Sequence, residues 1–296
     1  MTHLSDTTKS QKLNVIIFGS TGYIGWHLKY FLNKHDISYS LIDRQEIDFY
    51  VKANFIDSLN KFKELINSSD IIFFLSSKAK SSQWGDDDVD IFSKNFSIFC
   101  ENISMKKIVY LSSIDIYGEN PTSTTPLSES TLVRPSSDYA KSKISAETIL
   151  TKFLPRNKLQ ILRLPGIYGA NALYKNYSKS GLANRIADAI INNKFLVLDS
   201  PEVLSLRRDW VHISDLIDHL LKMARDFKPG VYNFVTGDSR SIQDFINVLE
   251  SEFQSKAKIT YKSYSNLKKN HLFFDNNLLL NTFSSKMFTV QNSFFV

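Results

Sequence analysis

Gly19-Ser20-Thr21-Gly22-Tyr23-Ile24-Gly25 stands between two segments that turn a glycine pattern into a fold. Before it runs Leu13-Asn14-Val15-Ile16-Ile17-Phe18, short and largely apolar, as a strand buried on both faces of a parallel sheet must be. After it, Ile24, Leu28, Phe31 and Leu32 recur at helical spacing. Strand, glycine turn and helix make a phosphate cradle. Gly19 permits the tight turn, Gly22 lets the backbone approach a pyrophosphate, and Gly25 lets the helix pack closely on the strand. The helix N-terminus then offers free N–H groups and a positive dipole end to the anion. This makes Gly19, Thr21, Gly22, Tyr23, Ile24 and Gly25 cofactor-binding candidates. Asp43 follows roughly twenty positions on, where an acidic side chain accepts hydrogen bonds from the adenosine ribose. Its charge would repel a 2′-phosphate and so favours NAD. Arg44 beside it would stack on adenine or meet that phosphate, which keeps NADP as the alternative.

From residue 13 onward, strand-like and helix-like segments alternate, the signature of a doubly wound parallel α/β sheet. Leu41-Ile42-Asp43 ends a second strand, and Glu46 to Tyr50 is read as a short third. Phe55, Leu59, Phe62 and Leu65 or Ile66 mark an amphipathic helix. Residues 71–77, 108–113 and 159–163 are the fourth, fifth and sixth strands. Ligands of such sheets bind at the carboxyl ends of the strands, so Asp43, Ser76, Ser113 and Arg163 are expected to face one crevice. Ser76 thereby joins the cofactor-binding candidates. Beyond residue 164 helices are expected over 182–193, over 214–226 with Ser214 as N-cap, and over 241–254 with Ser241 and Asp244 as a capping box. Short strands near 195–198, 231–235 and 258–261 separate them. The expected division is a disordered tail over 1–12 and a dinucleotide-binding domain over 13–165, to which later segments such as 207–227 return. Residues 166–296 are mainly a smaller, interleaved substrate lobe, with the Phe-rich stretch Leu272 to Val296 packed on it.

Composition bounds the function. With 296 residues, 43% hydrophobic and 22% charged, the chain is that of a globular protein with a substantial core. Its net charge of +6 is scattered and forms no basic block, which argues against nucleic acid as a partner. A lone cysteine, Cys100, permits no intrachain disulfide and fits the cytoplasm; it sits in an apolar helical stretch and is read as packing. Residues 1–12 are polar and no apolar run has transmembrane length, so no membrane attachment is expected. Asp86-Asp87-Asp88 and Asp90 are read as a solvated loop entering a helix, and the histidines lack metal spacing, so no metal is expected.

Tyr139-Ala140-Lys141-Ser142-Lys143 follows Pro135-Ser136-Ser137, a good helix start, and places Tyr139 and Lys143 one turn apart on one face. An ammonium near a phenol favours the phenolate. Such a tyrosine takes or returns a hydroxyl proton while hydride moves to or from a nicotinamide. Ser113, ending a strand, would hydrogen-bond the same substrate oxygen.

In this combination the chain resembles an extended short-chain dehydrogenase/reductase of the nucleotide-sugar epimerase/dehydratase group. The resemblance runs over roughly residues 13 to 285. Its marks are the cradle, Asp43, Ser112-Ser113-Ile114-Asp115-Ile116-Tyr117-Gly118, Tyr139 with Lys143, Arg163 to Gly169, and Arg208-Asp209-Trp210-Val211-His212-Ile213-Ser214-Asp215. It implies a Rossmann-type domain, NAD or NADP, a Ser113-Tyr139-Lys143 triad and a nucleoside-diphosphate sugar whose diphosphate Arg208 grips. It also implies a homodimer through the helices Val89–Ile103 and Ser137–Phe153. Related dehydratases place a carboxylate where Asp115 stands, to remove a proton beside the new ketone. Asp115 is either that base or a solvated, helix-capping residue. The chain departs from the family at Gly166, where an Asn is common, at Ala170, where a Pro is common, and at Asp199 to Val203, which replaces a Gly-rich turn. The expected activity is therefore epimerisation or reduction at a sugar carbinol or ketone carbon. The alternatives are a dehydratase using Asp115 and a non-catalytic dinucleotide-binding sensor or scaffold.

Overall fold

The structure, a computed structural model, describes residues 13–78, 80, 82–103, 105–118, 125–170, 173, 174, 176, 180–262, 271–283, 294 and 295. The tail expected over 1–12 lies outside them. In chain order the first half contains β1 (Asn14–Phe18), α1 (Tyr23–Lys34), β2 (Ser38–Ile42), α2 (Phe55–Lys61), α3 (Lys63–Ser68), β3 (Ile71–Phe74), α4 (Asp88–Ile103), β4 (Lys107–Ser113), α5 (Asp138–Phe153) and β5 (Leu159–Leu164). The second half contains β6 (Gly166–Tyr168), α6 (Leu182–Ile191), β7 (Phe195–Leu198), β8 (Arg207–Arg208), β9 (Trp210–His212), α7 (Ile213–Arg225), β10 (Gly230–Asn233), β11 (Arg240–Ser241), α8 (Ile242–Phe253), β12 (Lys258–Tyr261) and α9 (Asn277–Phe283).

Six strands form one parallel sheet in the order β10-β5-β4-β3-β1-β2. Their side chains alternate between two buried layers, as the two-residue period of a strand demands. Val15, Ile17, Ile71 and Phe73 pack with Leu28 and Leu32 of α1 and Leu216 and Leu220 of α7. Ile16, Phe18, Ile72 and Phe74 pack with Phe92, Phe96, Phe99 and Cys100 of α4 and Leu150 of α5. Each such apolar side chain contributes about 1.5–3 kcal/mol by leaving water. Cys100 is fully buried and burial raises its thiol pKa, as packing rather than reactivity requires.

The sheet differs from expectation in one strand. Residues 46–50 form no strand, because their N–H groups are taken locally: Glu46 and Ile47 donate to the Asp43 carbonyl at 3.1 and 3.0 Å, and Tyr50 N–H to the Asp48 carboxylate at 2.9 Å. Ile47 and Phe49 still anchor the segment in the core. The sixth strand is instead β10, which lies at the sheet edge beside β5.

A third apolar cluster forms around α6 and α8, in which Ile186, Ile190, Phe245 and Ile246 are buried. Around it lie three two-stranded pairs: β6 with β9, β7 with β12, and β8 with β11. The Ser241/Asp244 capping box forms in full at the start of α8. At α7 the cap is His212, not Ser214: its imidazole accepts from the Ser214 N–H, and the helix begins one residue earlier. The C-terminal stretch divides between layers. Leu279 and Phe283 pack on the sheet side, while Phe294 enters the α6/α8 cluster; the Phe-rich stretch therefore does not pack on the lobe alone, and 284–293 lie outside the described residues. No described helix is long and apolar enough to cross a membrane.

Candidate active site

The glycine turn links β1 to α1 at the carboxyl edge of the sheet. Gly19 has φ +92°, a conformation that costs a residue with a Cβ, and its own backbone lies against Ser76 at the end of β3. A Cβ on Gly25 would stand 2.2 Å from the Gly19 carbonyl oxygen, so the third glycine is demanded by close packing of helix on turn. Gly22 differs. A Cβ there meets nothing closer than the Gly19 carbonyl oxygen at 3.5 Å, so open space stands before the first N–H groups of α1. A cleft lined by Thr21, Asp43, Arg44, Gln45 and Glu46 continues from it. Asp43 accepts from Ser20 Oγ at 2.7 Å and from Thr21 N at 3.1 Å, which ties the second strand to the turn. Arg44 is exposed, ion-paired with Asp48 at 2.9 Å, and lies over the Tyr50 ring. The space at Gly22, the free helix end and the adjoining cleft fit a dinucleotide's pyrophosphate and adenosine.

Ser113, Asp115, Tyr139 and Lys143 come together where β4 ends and α5 begins. Ser113 caps the short 3-10 turn Ile114–Tyr117 by accepting from Asp115 N at 3.2 Å. Ser137 caps α5, so Tyr139 and Lys143 fall in its first two turns, facing β4. Lys143 is buried: its Nζ donates to the Leu111 carbonyl at 2.7 Å and lies 5.7 Å from the Tyr139 ring centre. Burial lowers its pKa to about 7, with Glu147 one turn further along pulling upward. Burial, then Asp115, raises the Tyr139 phenol above its ordinary value, while a hydrogen bond with Ser113 lowers it. The phenol is therefore the form its own surroundings favour, and the ammonium alone does not reverse that.

Two further candidates are charged groups near these. Asp115 is ion-paired with Lys80 at 2.9 Å. Arg208 lies in β8; burial lowers its pKa, and Asp115 raises it, which places that carboxylate near the guanidinium. Next to Arg208, Asp209 is buried and accepts from Thr236 N and Gly237 N, each at 2.9 Å, so β8 is tied to the loop after β10. The departure at Gly166 also has a physical reason: a Cβ there would stand 2.7 Å from the Trp210 ring, which fills the room a larger side chain would need.

Arg163 does not face the crevice. It is buried, with Nη2 2.8 Å from Glu147 Oε2 and Nη1 donating to the Tyr117 hydroxyl at 2.8 Å. Ser112 also donates to Glu147, and Tyr117 donates to Asn233 at 2.6 Å. This network joins β4, α5, β5 and β10 directly beneath Ser113 and Lys143. Glu147 was legible in principle, being one turn beyond Lys143 on the same helix face; Asn233 and Lys80 carry no local signal. Among the described residues, no group of three His, Cys, Asp or Glu side chains is arranged to hold a metal.

The profile of the NAD dependent epimerase/dehydratase family matches residues 15–234. An uncharacterized protein of Methanocaldococcus jannaschii is 27% identical over 285 residues, covering 83% of this chain and 82% of its own. The Thermus thermophilus UDP-glucose 4-epimerase, solved with NAD, superposes with a TM-score of 0.74 at 17% identity, over 91% of this chain and 93% of that one. The Bacillus anthracis dTDP-4-dehydrorhamnose reductase, solved with NADP, gives the same TM-score at 18% identity, over 95% of this chain and 96% of that one. An epimerase and a reductase thus share this fold equally, while the family match covers most of the chain and includes the cradle, Ser113, Tyr139, Lys143 and Arg208. The chain belongs to the NAD dependent epimerase/dehydratase family.

Proposed function

We propose that this protein is an NAD-dependent epimerase or reductase of a nucleoside-diphosphate sugar, with NADP as the alternative cofactor. The observation that carries the reading is the meeting of Ser113, Tyr139 and Lys143 at the end of β4, beside a cradle with room for a pyrophosphate. When bound, the nicotinamide accepts and returns a hydride at a sugar carbinol or ketone carbon. The Gly22, Tyr23 and Ile24 N–H groups hold the pyrophosphate, Gly19, Thr21, Gly25 and Ser76 shape the cradle, and Asp43 and Arg44 flank the adenosine. Tyr139 takes the sugar hydroxyl proton as hydride leaves the carbinol carbon and gives it back as hydride returns to the ketone, and Ser113 orients that oxygen. Lys143 in its ammonium form lowers the cost of the phenolate left behind. Arg208 holds the substrate diphosphate.

Asp115 is tied to Lys80 and stands near Arg208, an arrangement that stabilises the carboxylate and weakens it as a base. That favours epimerase or reductase chemistry over a dehydratase using Asp115. Retention of both Tyr139 and Lys143 favours an enzyme over an idle sensor or scaffold. The outward faces of α4 and α5, joined by Ser93 and Ser145 at 2.6 Å, are proposed as the homodimer surface, in a cytoplasmic protein that takes neither nucleic acid nor membrane as partner. The deciding experiment incubates the protein with NAD(P)H and UDP-, dTDP-, GDP- and CDP-sugars and reads products by mass spectrometry. One of the sugars should be converted, and Gly22→Asp, which fits the empty side of the turn, should abolish NAD binding without unfolding the chain. Retained micromolar NAD affinity in that variant overturns the placement of the pyrophosphate.

A further inference from the structure

The departure at Ala170 has a consequence in the cofactor cradle. Proline at this position would carry no N–H. Alanine does, and its N–H donates to the Phe294 carbonyl at 2.9 Å. Ala170 and Phe295 form a parallel bridge, continuing the line of β6. The docked segment is held from three further sides. The Phe294 side chain is fully buried in the α6/α8 cluster, its N–H donates to Glu252 at 2.7 Å, and His212 Nε2 lies 3.3 Å from its carbonyl oxygen. His212 also walls the other side of the turn, since a Cβ on Gly169 would stand 2.2 Å from its Nε2. Gly169 therefore lies between His212 and the strand-like contact at Ala170, with its N–H donating to Asn184 Oδ1 at 3.1 Å.

What Gly169 then holds is the start of α1. The Tyr23 hydroxyl donates to the Gly169 carbonyl, and Tyr23 is the first residue of the helix whose N–H groups face the open space at Gly22. The Tyr174 ring also packs along this helix, 5.8 Å from Tyr23, 5.1 Å from Trp26 and 5.1 Å from His27. We propose that the Phe294–Phe295 segment is a positioning strap for the dinucleotide cradle, acting through Ala170, Gly169 and the Tyr23 hydroxyl. Docked, it keeps the first turn of α1 wound and its N–H donors aimed, so that pyrophosphate binding does not have to order them. Undocked, Gly169 and Tyr23 keep only Asn184 between them, the anchor slackens, and part of that ordering falls on the ligand. The proposal rests on the dinucleotide reading above.

The test measures NADH dissociation constants by fluorescence for full-length variants, beside thermal unfolding. Ala170→Pro removes one N–H and installs the residue common in the family; Ala170→Gly keeps the N–H and is the conservative control. Ala170→Pro should weaken NADH about ten-fold, a coupling of ordinary size, while Ala170→Gly stays within about two-fold of wild type. Tyr23→Phe should weaken NADH similarly, and in that background Ala170→Pro should add little, because both act through one contact. Independent, multiplying effects of the two substitutions overturn the proposal, as does a folded Ala170→Pro protein with wild-type affinity. Should Ala170→Pro fail to fold, Phe294→Leu and Phe294→Ala replace it. The alanine variant should then lose NADH affinity and the leucine variant keep it, and equal affinity in both overturns the strap. Wild-type protein that binds no NADH overturns the dinucleotide reading together with the strap; wild-type binding that the variants leave unchanged overturns the strap alone.

Discussion

Beneath the site, Arg163 and Glu147 pair at 2.8 Å with side chains 8% and 6% exposed; above it, Lys80 and Asp115 pair at 2.9 Å with side chains 63% and 32% exposed. The distances hardly differ, yet the energetics do. Water screens the upper pair and its long lysine gives up rotamer freedom to form it, so such pairs contribute about 0–1 kcal/mol. The lower pair was taken out of water at a cost that its mutual attraction, the hydrogen bond Glu147 accepts from Ser112 and the one Arg163 donates to Tyr117 offset together. Removing one member there strands a charge. The candidate site thus rests on a floor that does not give, beside a roof that does.

The sharpest way to break this contrast starts with the group between the two. Tyr139→Phe deletes one oxygen, so turnover of a confirmed sugar should fall by about 10²–10⁴-fold while NADH affinity and thermal stability hold. A wild-type rate in that variant would end the hydride-transfer reading and leave the scaffold as the better account. Next, Glu147→Ala should lower stability by about 3–5 kcal/mol in urea denaturation, because Arg163 is left buried and uncompensated. A loss below about 1 kcal/mol would mean that floor and roof are alike. A smaller effect should appear with pH. Lys143 has a folded pKa near 7 against an ordinary 10.5, so between those values the unfolded chain binds a proton that the folded chain does not. Stability should therefore rise as pH increases through that window, and fall as pH drops toward 7. Comparing wild type with Lys143→Met at pH 7 and pH 9 isolates it: the wild type should gain on the variant at the higher pH, and a constant difference would contradict the burial of the amine. Smallest of all, Lys80→Ala should change stability by no more than about 1 kcal/mol.

How much of this could be read beforehand follows from the range of the forces involved. The cradle was legible because strand, turn and helix are contiguous, and the demand on Gly25 is set within the turn by the Gly19 carbonyl, although the close approach to Gly19 comes from Ser76 on a different strand end. Ser113, Tyr139 and Lys143 were legible for a similar reason, each being fixed by the end of one element. Residues 46–50 misled because alternation predicts a strand only if the backbone is left for a neighbouring strand; here the Asp43 carbonyl and the Asp48 carboxylate take those donors. Arg163 misled because its position at a strand end says nothing of Glu147, which only the packing of α5 on β5 brings beneath it. His212 took the cap expected of Ser214 because its ring reaches the N–H from one residue before the helix. The departure at Gly166 was visible as a letter, but its cause, the ring of Trp210, lies on a strand far along the chain.

The edge strand β10 sets a schedule for synthesis. It lies beside β5 with Gly230 opposite Gln160, and everything from β6 through α7 is made in between. At ordinary translation speeds of about 5–20 residues per second, β5 waits on the order of ten seconds for its neighbour. Throughout that interval the nascent sheet carries a bare apolar margin, and the Tyr117 hydroxyl lacks the Asn233 oxygen to which it will donate. An unpaired strand margin invites pairing with other chains. The protein's most dangerous moment therefore comes before it is finished, and a fragment ending at residue 165 would stay in that moment permanently.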